Sequence, residues 1–239
     1  MHSLLTCCFV ASNIVKYGYD MFEAAIEQAK KLSNNNVIVN VDTDSVDETV
    51  GVISKIPRIT VVKYPWGIAK NRGKDWIRTQ KENAIYSAKT QFIAYWDIDE
   101  VLDDEAIEPI QAIIRNKLLG YDGLQLRYRH FMCDKWHHMP DGSKGWYGVA
   151  CRIAKTPTEF VHKSDGWSLA IPERRCLKLN YFVNHYGHLR EGHSYVDSKK
   201  LMFSRFDLDF KPAGKPNLKL LTPFEGQHPK VIKKLYGIA

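Results

Sequence analysis

Two hydrophobic periods alternate through the first hundred residues, and that alternation limits the fold more than any other feature. Apolar residues run almost without a break over 3–11, 37–41, 59–64 and 91–96, the pattern of strands buried on both faces. Between these runs the spacing changes to three and four residues. Phe22, Ala25, Ile26, Ala29 and Leu32 share one face of a helix over 18–33, which the Asn34-Asn35-Asn36 run should end. A short helix is expected from Asp47 to Ile56. A long one covers about 71–89, with Ile77, Ala84, Ile85 and Ala88 inward. Strands joined by helices in this order predict an α/β fold with a largely parallel sheet.

After Asp103-Asp104 the texture changes. One more helix is expected over 104–119, with Ile107, Ile110, Ile114 and Leu118 on its apolar face. Residues 122–131 then alternate: Leu124, Leu126, Tyr128 and His130 lie on one side, Gln125, Arg127 and Arg129 on the other. Further strands fit 146–155 and 176–186. No linker rich in Pro, Gly or Ser divides the chain, so the reading is one domain over 1–239. Its halves are 1–110 and a loop-rich 111–239 that ends in a helical extension.

A chain of 239 residues can bury its core without disulfides or metal. Cys7, Cys8, Cys133, Cys151 and Cys176 are odd in number and lack a C-x-x-C spacing. They read as small buried hydrophobes in a reducing, cytoplasmic setting. The start, MHSLLTCCFVASN, has no basic segment ahead of its apolar run and reads as an opening strand, not a signal peptide. No run approaches the ~18 apolar residues of a membrane span.

Charge separates the two halves. Residues 1–110 carry 12 Lys and Arg against 16 Asp and Glu, net −4; residues 111–239 carry 22 against 11, net +11. The overall +7 therefore does not mark the whole protein as a nucleic-acid binder. It marks the second half as the side suited to an anionic partner.

In open α/β sheets, ligands bind beyond the carboxyl ends of the strands. The first strand leads into SNIVKYG, neither a G-x-G-x-x-G nor a P-loop, which argues against dinucleotide and P-loop chemistry. The second and fourth strands end in VDTDSVDET and YWDIDE, and such acidic ends accommodate a phosphate only with a cation between. Asp97 and Asp99, two residues apart, can reach one hard cation, Mg²⁺ or Mn²⁺. The other reading of these carboxylates is an acidic cap on the helix that follows.

Three segments, in order, resemble the nucleotide-sugar half of family 2 glycosyltransferases. The family patterns are D-D-x-S-x-D-x-T, A-R-N-x-G and a D-x-D followed by an acidic residue. Asp42, Ser45, Asp47 and Thr49 match the first, Ala69, Asn71 and Gly73 the second, and Asp97, Asp99 and Glu100 the third; Thr43 and Lys70 depart from it. The resemblance implies a GT-A (Rossmann-like) fold, a mixed but mostly parallel sheet flanked by helices, with 1–110 binding the nucleotide sugar and 111–239 the acceptor. It further implies a metal-dependent, inverting transfer from a nucleoside-diphosphate sugar to an acceptor hydroxyl on a glycan or other polymer. Asp42, Asp47, Asn71 and Asp97 would bind the donor.

HYGHLR at 185–190 is similar to a late H-Y-G-x-x-R of small glycosyltransferases, which implies His185 as the third metal ligand beside Asp97 and Asp99, with His188 as its alternative. The implied base is an acid between these motifs: Asp165 in KSDGWS, where Gly166 would admit an acceptor and Trp167 would stack on it, or else Glu173 in IPERR. Arg152, Arg174 and Arg175 are candidates for the diphosphate, and Trp136, Trp146 and Trp167 for an acceptor groove. Two alternatives keep the same fold: a glycosyltransferase whose acceptor is DNA, gripped by the basic half, and a non-catalytic protein that binds an anionic polymer.

Overall fold

The computed structural model describes residues 3–66, 73–143, 146–162, 166–189 and 218–238. Its parallel core is β1 (Leu5–Ala11), β2 (Val37–Asp42), β3 (Thr60–Tyr64) and β4 (Phe92–Tyr95), joined through α1 (Ile14–Tyr17), α2 (Tyr19–Leu32), α3 (Thr49–Ile53) and α4 (Gly73–Tyr86). Strand β1 pairs in parallel with β2 and β4, and β2 with β3. The remaining elements are β5 (Glu100–Leu102), α5 (Ile107–Arg115), β6 (Gly123–Cys133), β7 (His137–His138), β8 (Val149–Lys155), β9 (Cys176–Leu189), β10 (Thr222–Pro223) and α6 (Lys230–Tyr236).

The ten strands among the described residues belong to one sheet. Antiparallel β8 lies between β4 and β6, giving the order β3-β2-β1-β4-β8-β6. Strand β9 then runs parallel to β6 and carries the antiparallel β5 on its far side. This is the mixed, mostly parallel, helix-flanked sheet expected from the sequence. It brings the ends of β1, β2, β4 and the late part of β9 to one edge.

Local chemistry explains where the elements stop. Helix α2 buries Phe22, Ala25, Ile26, Ala29 and Leu32 and ends where Asn34 and Asn35 turn left-handed at φ 53° and 65°, a conformation asparagine tolerates better than most residues. The helix expected over 104–119 is shorter. Lys117, Leu118 and Leu119 also adopt positive φ, and the turn they form buries Leu118. Strand β5, short and at the sheet edge, is held by buried Gln28 of α2. Its side-chain amide donates to the Leu102 carbonyl at 2.6 Å and accepts the Leu102 N–H at 2.7 Å, replacing a missing strand neighbour.

The core has a cluster on each face of the sheet, and a smaller one joins α6 to Val101, Phe131, Tyr186 and Leu189. Cys7, Cys8, Cys151 and Cys176 are buried as free thiols, which suits their reading as small hydrophobes. No helix among the described residues is long and apolar enough to cross a membrane.

His228 seals the third cluster. It is buried among Phe131, Trp136 and Phe224, and its Nδ1 lies 2.9 Å from the Tyr186 hydroxyl. Burial lowers its pKa from 6.5 to about 4. Below its ordinary pKa the unfolded chain takes up a proton that the folded chain refuses, so stability is lost as pH falls from about 6.5 towards 4. Urea-unfolding midpoints should therefore fall between pH 7 and pH 5, and His228→Gln should remove part of that fall. An unchanged pH dependence in the variant would contradict this assignment.

Candidate active site

The segment Asp97-Ile98-Asp99-Glu100 turns the chain from β4 into β5. The Glu100 N–H donates to the Asp97 carbonyl at 3.1 Å, and Glu100 Oε2 accepts the Asp97 N–H at 3.0 Å, so backbone and side chain close the same turn. Beneath it lies a buried ion pair. Glu100 Oε1 is 2.6 Å from Arg152 Nη2 on β8 and accepts the Tyr128 hydroxyl at 3.0 Å, while Arg152 Nε donates to that hydroxyl. Burial pushes Glu100 up to about 7 against the opposing pull of Arg152. Burial also disfavours the Arg152 charge, but Glu100 and its neighbours hold it in place. Arg152, 0% exposed, is thus part of the scaffold and not a surface contact for a diphosphate.

Asp97 sits above this pair with its side chain 29% exposed. Oδ1 accepts the Tyr95 hydroxyl at 2.8 Å and lies 3.3 Å from Lys81 Nζ; Oδ2 is 3.8 Å from Arg152 Nη2. Burial alone would raise its pKa, but Lys81 and Arg152 outweigh that and hold the carboxyl below its ordinary value. Lys81 is buried on α4 with its ammonium 5.2 Å from the centre of the Tyr95 ring. Its position on the stripe of Ile77, Ala84 and Ile85 was visible in the sequence as a lysine on an apolar face.

Asp99 faces the other way. Oδ2 lies 3.3 Å from His185 Nε2, and the Asp99 carbonyl accepts the Tyr186 N–H at 2.9 Å. His185 Nδ1 is 3.0 Å from Nδ1 of His130, directly across the β6–β9 ladder, and His130 Nε2 is 2.9 Å from the Tyr147 carbonyl. Rings surround the pair: His130 stacks on Tyr128 and meets Tyr147 and Trp146, while Trp146 packs edge-on against His188. Burial, and then His185, lower the His130 pKa to about 3. His130 was legible only as a polar residue on the inward face of an alternating strand.

Two donors bound side by side on an octahedral Mg²⁺ or Mn²⁺, each about 2.1 Å from the metal, stand about 3 Å apart. The 3.3 Å between Asp99 Oδ2 and His185 Nε2 is that of a direct ion pair or hydrogen bond and is also compatible with a shared cation. Asp97 is turned away from this pair, with its Oδ1 3.3 Å from Lys81 Nζ. Among the described residues no group of three or more His, Cys, Asp or Glu side chains is placed to hold a metal ion. Of the expected set of Asp97, Asp99 and His185, the structure thus brings only Asp99 and His185 into contact. Two protein ligands suffice for a cation whose shell is completed by substrate phosphate and water.

The first motif serves mainly to build its own loop. Asp42, 0% exposed at the end of β2, accepts the N–H groups of Asp44 and Trp66 on Oδ1 at 2.9 and 3.1 Å, and the Ser12 hydroxyl on Oδ2 at 2.7 Å. Asp47 Oδ1 accepts the Thr49 N–H at 3.0 Å and also the Thr49 hydroxyl, whose oxygen in turn accepts the Ile14 N–H at 2.8 Å. Both carboxylates therefore hold the loops after β1 and β2 together, and Asp47 remains partly exposed.

Asn71 and Asp165 lie outside the described residues. Gly166, at φ +71°, leaves no opening: a Cβ there would lie 2.9 Å from Phe160 and 3.0 Å from Arg78. Its neighbour Trp167 stacks on Tyr147 at 5.3 Å, beside the histidines. Glu173 is far from them. It sits just before β9, exposed and 2.6 Å from Lys178, and the nine residues of strand from Cys176 to His185 span about 30 Å. Arg174 and Arg175 share that remote turn, where Arg175 pairs with Asp122. Trp136 packs on His228 instead.

Removing one member of a buried ion pair strands the other charge. Arg152→Met should cost about 3–5 kcal/mol of stability, and the double variant with Glu100→Gln should recover much of it, as read by urea denaturation. A neutral single variant would show that the pair does not organise the turn.

No protein-family model matches the chain, and no curated protein matches it in sequence. Solved structures do match in shape. Residues 1–349 of S. aureus TarS superpose with a TM-score of 0.50 at 16% identity, over 88% of this chain and 68% of that one. The same protein in complex with UDP gives 0.50 at 14% identity, with 88% and 68% covered. At such identities the likeness concerns architecture, and it places the chain in the GT-A glycosyltransferase fold.

Proposed function

We propose that the protein is a glycosyltransferase that moves a sugar from a nucleoside-diphosphate donor to an acceptor hydroxyl. The observation that carries the reading is the pairing of Asp99 with His185, with Asp97 on the same turn, at the carboxyl edge of a GT-A sheet. The structural neighbour TarS, solved in complex with UDP, supports it.

Asp99 and His185 would hold Mg²⁺ or Mn²⁺, which when bound supplies Lewis-acid stabilisation of the departing diphosphate. Asp97, kept ionised by Lys81 and Arg152 and partly open to solvent, would accept hydrogen bonds from donor hydroxyls. The loop built on Asp42 and Asp47 would wall the nucleoside pocket, with Asn71 from the segment before α4. Asp165 would deprotonate the acceptor on the face opposite the leaving group, giving inversion. The stacking of Trp167 on Tyr147 brings the segment following Asp165 to this cluster and favours it over Glu173. The basic excess of residues 111–239 favours an anionic acceptor such as a charged glycan.

The expected outcome is release of nucleoside diphosphate from one of the UDP-, GDP- or dTDP-sugars. EDTA and Asp99→Asn should each lower that release by at least about a hundredfold, the scale of several kcal/mol of charge stabilisation. Full turnover in chelator would overturn the metal role. Inactivity towards every sugar nucleotide, with the fold intact, would overturn the transferase reading.

A further inference from the structure

A groove of about 750 Å³ opens between α2, α3 and α6, and none of the candidate site residues lines it. Val52, Ile56 and Leu235 give it an apolar floor that is only partly buried. Its rim is charged, and along α2 the charges are sorted by sign. Asp20 and Glu23 stand at the start of the helix beside Tyr19; Lys30 stands in its last turn, with Lys55, just after α3, on the same rim. Burial, and then Glu23 and Asp20, raise the Tyr19 pKa, whereas burial, and then Arg58, lower that of Lys30. Asp20, Glu23, Lys30 and Lys55 form no salt bridge among the described residues. Glu27, between the two ends, already has Lys31 at 3.2 Å and Lys234 at 3.9 Å.

A rim whose open charges run from acidic to basic along one helix is complementary to itself under a two-fold rotation. We propose that this groove is the contact between two copies of the chain, with α2 of one antiparallel to α2 of the other and Glu23 of each facing Lys30 of the other. At 1.5 Å of rise per residue Glu23 and Lys30 lie about 10 Å apart. A two-fold axis level with residues 26 and 27 therefore forms both pairs at once. The ridge of one α2 enters the groove beside the other, the usual packing of helical ridges. Stems of the rim side chains cover the apolar floor while their charged ends stay in water. Glu27 comes to the axis with its own lysines, so its two copies do not meet uncompensated. Antiparallel helices also set their dipoles in opposition. A different protein would have to present a helix with the same order and spacing of charge, and α2 is already such a helix.

Sedimentation velocity of the full chain, over a concentration series reaching about 100 μM, tests it. The wild type should form a dimer that weakens as salt is added. Glu23→Lys and Lys30→Glu, each alone, turn two attractions into two repulsions, so each should raise the dimer dissociation constant by about tenfold or more. Mixed in equal amounts, the two variants should pair with each other at close to wild-type strength, because each supplies the charges that the other has lost. The double variant should likewise recover the dimer. Both positions are at the surface, and thermal unfolding confirms that every variant folds. A wild type that stays monomeric throughout would overturn the proposal and leave the groove to a different partner. A dimer indifferent to both single variants would place the contact elsewhere on the molecule. Single variants that each lose the dimer but do not pair when mixed would overturn the antiparallel arrangement of α2.

Discussion

The buried pair of Glu100 and Arg152 is the interaction on which the rest of the site depends. Glu100 receives a guanidinium from β8, a hydroxyl from β6 and an N–H from its own turn, so three parts of the sheet meet at one carboxylate. Burying two charges is costly, and a pair of apolar side chains could fill the same space as stably. What apolar packing would not supply is direction: the pair fixes the Asp97–Glu100 turn so that Asp97 points towards α4 and Asp99 towards β9. The inserted antiparallel β8 is what carries Arg152 beneath the turn.

Electrostatics then divides the two aspartates. Asp97 has Lys81 and Arg152 within 4 Å and needs no further cation to remain ionised. Asp99 instead faces a histidine, with His185 Nε2 3.3 Å from its Oδ2. A net acidity of −4 in residues 1–110 gave the first hint that a diphosphate would not be held by basic residues alone. The structure sets buried cations beside one carboxylate, Asp97, and a histidine beside the other, so the proposed metal role rests on the Asp99 and His185 side.

Much of the architecture was readable from periodicity, because β1, β2 and β4, buried on both faces, leave continuous apolar runs and one-sided helices leave stripes, although the edge strand β3 is half exposed. The end of α2 at its asparagine run was legible for the same local reason. The boundary of α5 was not, since nothing in Lys117-Leu118-Leu119 announces a left-handed turn. Strand β5 was hidden because three residues carry no period, and its hold on Gln28 is a contact between positions 74 apart. In the site, the carboxylates at strand ends were legible, but their division of labour was not. Their different surroundings depend on Lys81 and Arg152, which come from α4 and β8 and look like misplaced polar residues until the sheet assembles. Glu173 shows the converse: chain order between two motifs suggested a role, and strand direction put it at the opposite edge.

The central claim is that a nucleoside diphosphate and a divalent cation bind this edge together. Thermal unfolding of the wild-type chain with UDP, GDP or dTDP, each with and without Mn²⁺, tests it most directly, since a ligand bound at a hundred times its Kd adds about 2.7 kcal/mol of stability. The account predicts a rise in Tm for at least one nucleotide with Mn²⁺ that exceeds the sum of the separate effects and is abolished by EDTA. Equal shifts with and without the cation, or no shift with any of the three nucleotides, would contradict it.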